Sequence, residues 1–255
     1  MRYYNLLRNL SNWPLYLAVK FGFTRRDPLL FITRRGIRIE VPRRLLQTFK
    51  EIFMEECYMK DPGSALPENP TVLDIGANAG YFSLFALSRF PGSRVFAFEP
   101  IPANFRLLKR NRNLNADLSW VCVPKAVAGK PGELSLAFEG GNDFTTSATV
   151  MGDDSGQKAM IRVPATTLPE ILDGNNLKRC DFLKMDCEGA EYDIFYQCPP
   201  EALARIERIS MEVHGGPGGD QNIDALEIFL RESGFITRQR PVGMLSAWRG
   251  GDHDG

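Results

Sequence analysis

The chain is expected to fold as an α/β protein built on a doubly wound, mostly parallel sheet. Three observations predict this. Thr71–Ile75 is a short apolar run broken by one acid, Asp74. It is followed by small residues, Gly76-Ala77-Asn78-Ala79-Gly80, and then by an apolar helical pattern through Tyr81, Phe82, Leu84, Phe85 and Leu87. That order reads as buried strand, tight turn, helix, the opening unit of such a sheet. Arg94–Phe98 is a second apolar run and ends in Glu99-Pro100, with Glu99 23 residues after Gly76. Two further runs, residues 181–186 and 206–213, also end in polar residues, as buried strands do where their carboxyl ends face a ligand.

The remaining elements follow in chain order. Residues 2–20 read as helix interrupted by Pro14, which lacks the N–H a helix interior needs. Residues 29–33 and 37–41 flank Arg34-Arg35-Gly36, a hairpin with glycine in the turn. Residues 43–58 show helical periodicity through Leu46, Phe49, Ile52 and Phe53. Residues 61–70 hold three prolines and a glycine and read as a linker, separating an N-terminal extension (1–60) from a main domain (71–249). Pro102–Asn113 is a helix with proline in its first turn, and Trp120–Val123 is the third strand. Lys125-Ala126-Val127 follows, then a strand over 132–138. Residues 139–156 are rich in Gly, Ser, Thr and Asp; so long a connection reads as an acceptor-side lid or a disordered surface loop. A short strand over 160–164 and a short helix over 167–172 come next. A helix over 224–233 is stopped by Gly234. Phe235–Arg240 and residues 243–249 form a closing β pair, and 250–255 a disordered tail.

With 255 residues the chain can bury one full α/β core and carry an extension. No apolar run approaches the roughly 20 residues that cross a bilayer, and no signal-peptide pattern opens the chain. The five cysteines are scattered, odd in number and never in C-x-x-C spacing. They suggest a reducing compartment, the cytoplasm, and give neither a zinc nor a disulfide framework. With His214 and His253 alone, a histidine-rich metal site is excluded. The net charge of zero hides an asymmetry: residues 1–60 carry 12 Lys+Arg against 5 Asp+Glu, and the rest of the chain is correspondingly acidic. Arg25-Arg26, Arg34-Arg35 and Arg43-Arg44 make this either a solvated basic face or a docking element for an anionic membrane surface or lipid-linked phosphate. Nucleic acid is not expected as a partner, because no nucleic-acid motif accompanies the charge.

The loop after the first strand narrows the ligand. Gly76 can take a positive φ or admit a ligand to the backbone, and Gly80 can let the helix start pack closely. An acid at the end of the second strand can accept both ribose hydroxyls of a nucleoside. The dinucleotide fingerprint G-x-G-x-x-G places its middle glycine where Asn78 stands, and no Lys-Ser or Lys-Thr follows the loop. The loop therefore suits neither a pyrophosphate nor a P-loop nucleotide. A nucleoside without phosphate fits better, and S-adenosylmethionine is the commonest such cofactor. A plain glycine-rich turn is the structural alternative.

Residues 74–83 (DIGANAGYFS), 95–100 (VFAFEP) and 181–191 (DFLKMDCEGAE) resemble the three signature blocks of the FkbM family of S-adenosylmethionine-dependent methyltransferases. The likeness runs over residues 72–248 and includes VPATTL at 163–168 and MEVH at 211–214. It implies a class I methyltransferase (Rossmann-like) fold with a seven-stranded sheet and an antiparallel last strand. It also implies S-adenosylmethionine held by Asp74, Gly76, Ala77, Asn78, Gly80, Tyr81, Phe82, Glu99, Pro100 and Asp186, with the backbone around Ala126 and Val127 at the adenine edge. The activity implied is O-methylation of a sugar, a polysaccharide precursor or a polyketide-like metabolite, with the variable N-terminal region covering the site.

Strand-end chemistry supplies the catalytic candidates. Alternation puts Lys184 and Asp186 on one face of their strand, and Glu212 and His214 on one face of theirs. Methyl transfer is an in-line displacement, helped mainly by alignment and by a base that takes the hydroxyl proton. His214 is the expected base, with an ordinary pKa of roughly 6.5, and Asp186 orients it or the acceptor. Lys184 pairs with one of the acids. Asp186, Glu188 and Glu212 can instead hold a divalent cation, while Glu191 serves as a helix cap or as a catalytic group. A cofactor-binding module without catalysis is the competing class. An NAD-dependent oxidoreductase is disfavoured by the missing glycine.

Overall fold

The computed structural model describes residues 1–61, 66–139, 148–150 and 158–250. The N-terminal segment forms α1 (Arg2–Asn9), α2 (Pro14–Lys20), a hairpin of β1 (Leu29–Ile32) and β2 (Arg38–Val41), and α3 (Leu46–Phe53). Pro14 opens α2, where its missing N–H costs nothing. The helix expected over 43–58 is divided. A 3-10 turn at Arg43–Leu45 precedes α3 and another at Cys57–Met59 follows it, with Glu56 left-handed between them.

The main sheet is built from β3 (Thr71–Ile75), α4 (Tyr81–Arg89), β4 (Arg94–Phe98), α5 (Pro102–Asn113) and β5 (Trp120–Val123). A second sheet takes β6 (Ala126–Val127), β7 (Gly132–Glu139), β8 (Ala148–Val150) and β9 (Lys158–Thr166) in the order β6-β9-β7-β8. The first sheet then resumes through α6 (Leu168–Gly174), β10 (Phe182–Met185), α7 (Glu191–Tyr196), α8 (Pro200–Leu203) and β11 (Arg208–Glu212). It ends with α9 (Ile223–Glu232), β12 (Phe235–Arg240) and β13 (Met244–Arg249). Its strand order is β12-β13-β11-β10-β3-β4-β5, with β13 antiparallel to both neighbours and the strands from β11 to β5 parallel. The chain winds outward from β3 to β5, then returns to β3's other side with β10. The gap between β3 and β10 is the topological switch point, where ligands sit in such sheets.

Alternation along the strands divides the core. Val72 belongs to one apolar cluster, with α4 and the N-terminal segment, while Leu73 and Ile75 belong to another on the opposite face. The first cluster is continuous with the extension through stacked Phe31, Phe49 and Phe53 (centroids 4.5 and 4.9 Å apart). Edge contacts of Phe49 with Tyr81 and of Phe53 with Phe85 complete it. Each fully buried aromatic of this kind contributes roughly 1.5–3 kcal/mol. Residues 1–60 thus share the core of the main domain.

Asp61, in the expected linker, is buried: it accepts from the hydroxyl of Ser246 and pairs with Nε of Arg240 at 2.8 Å. Arg240 also donates to the carbonyl of Cys57 at 2.8 Å. The expected strands over 132–138 and 160–164 lengthen and pair with each other antiparallel, and α7 and α8 are additional to the expected elements. Apart from Glu139, β8 and Gly250, the expected lid or loop over 139–156 and the tail over 250–255 lie outside the described residues, as do linker residues 62–65. Among the described residues, no helix is long and apolar enough to cross a membrane.

Candidate active site

A cavity of about 540 Å³ lies at the switch point, over the carboxyl ends of β3, β4 and β10. The β3–α4 loop forms its floor. Gly76 has φ +69°, and a Cβ there would meet the carbonyl oxygen of Asp186 at 1.8 Å. The close approach that demands glycine is therefore the end of β10. A Cβ on Gly80 would lie 2.5 Å from Leu108 Cδ1 and 2.6 Å from Trp120, so this glycine lets the start of α4 pack against α5 and β5. Asp74 faces the same helix: its Oδ2 accepts from the N–H and hydroxyl of Ser83 at 3.1 and 2.6 Å. Asp74 and Gly80 support the loop from behind and are not among the residues lining the cavity.

Glu99, at the end of β4, is buried yet lines the cavity. It accepts from the N–H of Asn78 at 2.8 Å, the N–H of Ile101 at 2.9 Å and the amide of Asn104 at 3.5 Å. Burial nevertheless pushes its carboxyl up to about 7. A carboxylate has about four acceptor positions, and the Asn104 contact is long at 3.5 Å, so ribose hydroxyls donating from the cavity would complete its set. Gly76, Ala77, Asn78, Tyr81, Phe82 and Pro100 line the adjoining wall, and Ala126 and Val127 close it from β6. The residues present thus fit a nucleoside cofactor.

Lys184 on β10 is buried, with Nζ donating to the carbonyl of Gly76 at 2.7 Å and of Ile75 at 3.3 Å. Asp74 and Asp186 lie 3.4 and 3.9 Å from the same atom. Burial opposes its charge, but the two carboxylates more than offset this and hold its pKa above the ordinary value. With its ammonium so occupied, Lys184 fixes the loop and orients Asp186. Asp186 in turn accepts from the phenol of Tyr58 at 3.1 Å, a contact from the N-terminal segment.

His214 lies just beyond β11. Its Nδ1 is 3.1 Å from Oε1 of Glu191, a fully buried carboxylate that also accepts from the N–H groups of Cys187 and Gly189. Nε2 faces Glu188 at 3.4 Å and Glu212 at 4.0 Å. The hydrogen bond to Glu191 outweighs burial and, with the surrounding acids, pushes the imidazole up to about 9. At neutral pH His214 therefore carries a proton, contrary to the ordinary histidine expected from the sequence. The acid hydrogen-bonded to the imidazole is Glu191, where the sequence offered Asp186 to orient either the ring or the acceptor. Burial, and then repulsion from nearby carboxylates, Asp186 foremost, also raise Glu188 and Glu212.

Asp186, Glu212 and His214 each offer one ligand atom, and these atoms lie within 4.8 Å of one another. Two carboxylates and an imidazole suit a divalent cation with oxygen preference. The sequence brought forward every one of these groups but gave no decisive role to Glu191, although it ends the third block. Tyr58 it missed altogether; no local signal ties a residue to a strand end 128 positions away.

The strand order, the reversed β13 and a nucleoside-sized cavity at the switch point define a class I methyltransferase fold. In agreement, the family described as Methyltransferase FkbM domain matches residues 74–237. The chain belongs to the FkbM methyltransferase family and is a methyltransferase. It is 32% identical over 220 residues to Methyltransferase sdnD of Sordaria araneosa, covering 75% of this chain and 83% of that one. It is 27% identical over 231 residues to 31-O-demethyl-FK506 methyltransferase FkbM of Streptomyces tacrolimicus, covering 76% and 84%. A 232-residue match at 32% identity to AMB antimetabolite synthetase AmbE of Pseudomonas aeruginosa covers 77% of this chain but only 11% of that protein. The crystal structure of Methyltransferase FkbM from Methylobacillus flagellatus KT shares the fold, with TM-score 0.50 at 13% identity over 80% of this chain and 54% of that one.

Proposed function

We propose that the protein transfers a methyl group from S-adenosylmethionine to a hydroxyl of a polyketide-like metabolite, a sugar or a polysaccharide precursor. One observation carries this: a single cavity joins the buried Glu99 at one end to Asp186, Glu188, Glu212 and His214 at the other. Oxygen as the acceptor is supported by the Streptomyces relative, which is by name a methyltransferase of an O-demethyl compound.

Bound S-adenosylmethionine would supply an activated methyl on a cationic sulfonium. Glu99 would accept its ribose hydroxyls. The carboxylates of Asp186, Glu188 and Glu212 favour a cation in the cavity over the neutral product that remains after transfer. Glu191 fixes the His214 ring through Nδ1 and leaves Nε2 toward the acids of the cavity. The deprotonated form of His214, a minor one at neutral pH that grows as pH approaches about 9, takes the acceptor's proton at Nε2, and its imidazolium is held afterwards by Glu191 and Glu188. Alignment of the acceptor supplies the larger share, on the order of 7–11 kcal/mol, and the base roughly 10²–10⁴-fold.

The 4.8 Å grouping of Asp186, Glu212 and His214 favours a second reading. There these three hold a divalent cation, which would acidify the acceptor hydroxyl by coordination. The test is incubation with S-adenosylmethionine and a panel of hydroxylated acceptors, with and without chelator. Release of S-adenosylhomocysteine with a methylated product supports the proposal, and loss of turnover on chelation with recovery on adding magnesium selects the cation. Binding of the cofactor with no methylated product from any hydroxylated acceptor contradicts it.

A further inference from the structure

The end of α2 carries two aromatic rings that the fold does not bury. Gly22, at φ +76°, donates to the carbonyl of Val19 at 3.2 Å, and Phe23 donates to that of Ala18 at 2.7 Å. These are the paired bonds of a Schellman ending, in which the residue after the glycine usually folds back onto its helix. Phe23 instead stands 82% exposed and Phe21 61% exposed, with their rings 6.3 Å apart. The next stretch is held as firmly. Arg43 donates from its guanidinium to the carbonyls of Thr24 and Arg26, and from its backbone to Asp27 at 3.0 Å. Both ends of the tip are pinned, so the outward rings belong to an ordered surface.

Cations surround those rings. The ammonium of Lys20 lies 5.5 Å over the Phe21 ring and donates to the hydroxyl of Tyr3, itself half exposed. Arg25 and Arg26 follow directly and are exposed. We propose that this tip, Tyr3 with Lys20–Arg26, docks the enzyme on an anionic lipid bilayer. Aromatic rings settle at the boundary between headgroups and acyl chains, while neighbouring Lys and Arg reach lipid phosphates. Residues 1–60 are net positive and the remainder net negative by the same amount. An anionic surface therefore attracts the tip and repels the rest, fixing the orientation of approach. A second copy of the chain is the poorer occupant, since a two-fold contact would set this basic patch against itself. Two rings and a few charges give weak, reversible attachment.

The experiment is co-sedimentation of the full chain with phosphatidylcholine vesicles, and with the same vesicles containing phosphatidylserine. Binding is expected only to the anionic vesicles and should weaken with salt. Phe21→Ser with Phe23→Ser, and separately Arg25→Glu with Arg26→Glu, should each weaken it by at least about tenfold. Circular dichroism and cofactor binding should stay unchanged, because none of these side chains lines the cavity. Phe23→Trp keeps a ring in place and should add emission that shifts to the blue on adding anionic vesicles. The proposal is overturned by equal binding to neutral vesicles, by no binding, or by full binding of the Phe21/Phe23 variant. Self-association that the same variant abolishes would overturn it too, assigning the tip to a second copy.

Discussion

Nδ1 of His214 lies 3.1 Å from the wholly buried carboxylate of Glu191. This pairing decides how the ring behaves. The raised pKa means that the folded state binds the His214 proton more tightly than the unfolded chain does. The stabilisation is fully present below the ordinary histidine pKa of roughly 6.5 and is lost as pH rises through about 9. Proton NMR should show a ring titrating near 9, and Glu191→Gln should bring it down toward the ordinary value. Measured at pH 9 or above, where the ring can accept a proton, His214→Ala should cut turnover by roughly two to four orders of magnitude and barely change cofactor affinity. A His214 ring that titrates near 6.5 in the parent enzyme would refute the assignment of Glu191.

Glu99 gives a different pH dependence. Its carboxyl sits near 7 because it is buried, and ribose hydroxyls favour the ionised form. Affinity for S-adenosylmethionine should rise between about pH 6 and 8 and level off above. Without ligand the sign for stability is reversed: the folded state holds this proton better, so its contribution falls as pH rises from the ordinary carboxyl range toward 7. Glu99→Ala should weaken binding at least tenfold, given roughly 1.5–3 kcal/mol for a charge-assisted hydrogen bond. Titration calorimetry at several pH values measures both effects, and an unchanged affinity would remove the argument for the cofactor.

The phenol of Tyr58 brings the N-terminal segment into the chemistry through Asp186. Tyr58→Phe keeps the ring, its edge contact with Phe82 and the Lys184 ammonium above it, and removes one hydrogen bond worth about 0.5–1.5 kcal/mol. Turnover should fall by about twofold to tenfold while cofactor affinity holds. Wild-type turnover in this variant would show that Asp186 needs no such restraint.

Gly76→Ala tests the switch point itself. A methyl group cannot share space with the Asp186 carbonyl 1.8 Å away, and Gly76 and Asp186 each stand one residue beyond the paired strands β3 and β10, which hold both backbones in place. Soluble yield and melting temperature should collapse. Gly174→Ala, at the last position of α6 with nothing within 4 Å, should melt at or slightly above the parent. A benign Gly76→Ala would contradict the register between β3 and β10.

The strands that could be read from sequence were those whose evidence is local. Thr71–Ile75, Arg94–Phe98 and Trp120–Val123 are apolar runs with clear stops, and the structure returns them with those bounds. Glu99 was legible for the same reason, as an acid at a strand's end. The β6–β9 sheet was not, because nothing in residues 126–166 announces that β9 pairs with β6 on one side and β7 on the other. Glu191 and His214 are 23 positions apart, and Tyr58 and Asp186 are 128. Spacing of that kind becomes proximity only through the topology. The end of α3's pattern misled in the opposite direction: the helix stops at Phe53 and Glu56 turns left-handed at φ 52°, although the periodicity continues in the letters to Tyr58.

The clasp formed by Asp61, Arg240 and Ser246 sets an order of assembly. Arg240 and Ser246 stand 183 and 185 residues beyond their partners Cys57 and Asp61, on the last two strands of the sheet. During synthesis the stretch that carries Tyr58 leaves the ribosome early and must wait, its polar clasp unmade, until β12 and β13 have emerged and paired. Contacts of such long sequence separation close late and leave apolar surface open meanwhile. A nascent chain can therefore shape the Glu99 end of its cavity well before it can clamp the Tyr58 wall. During that interval the segment left unclasped is the one from Cys57 to Asp61.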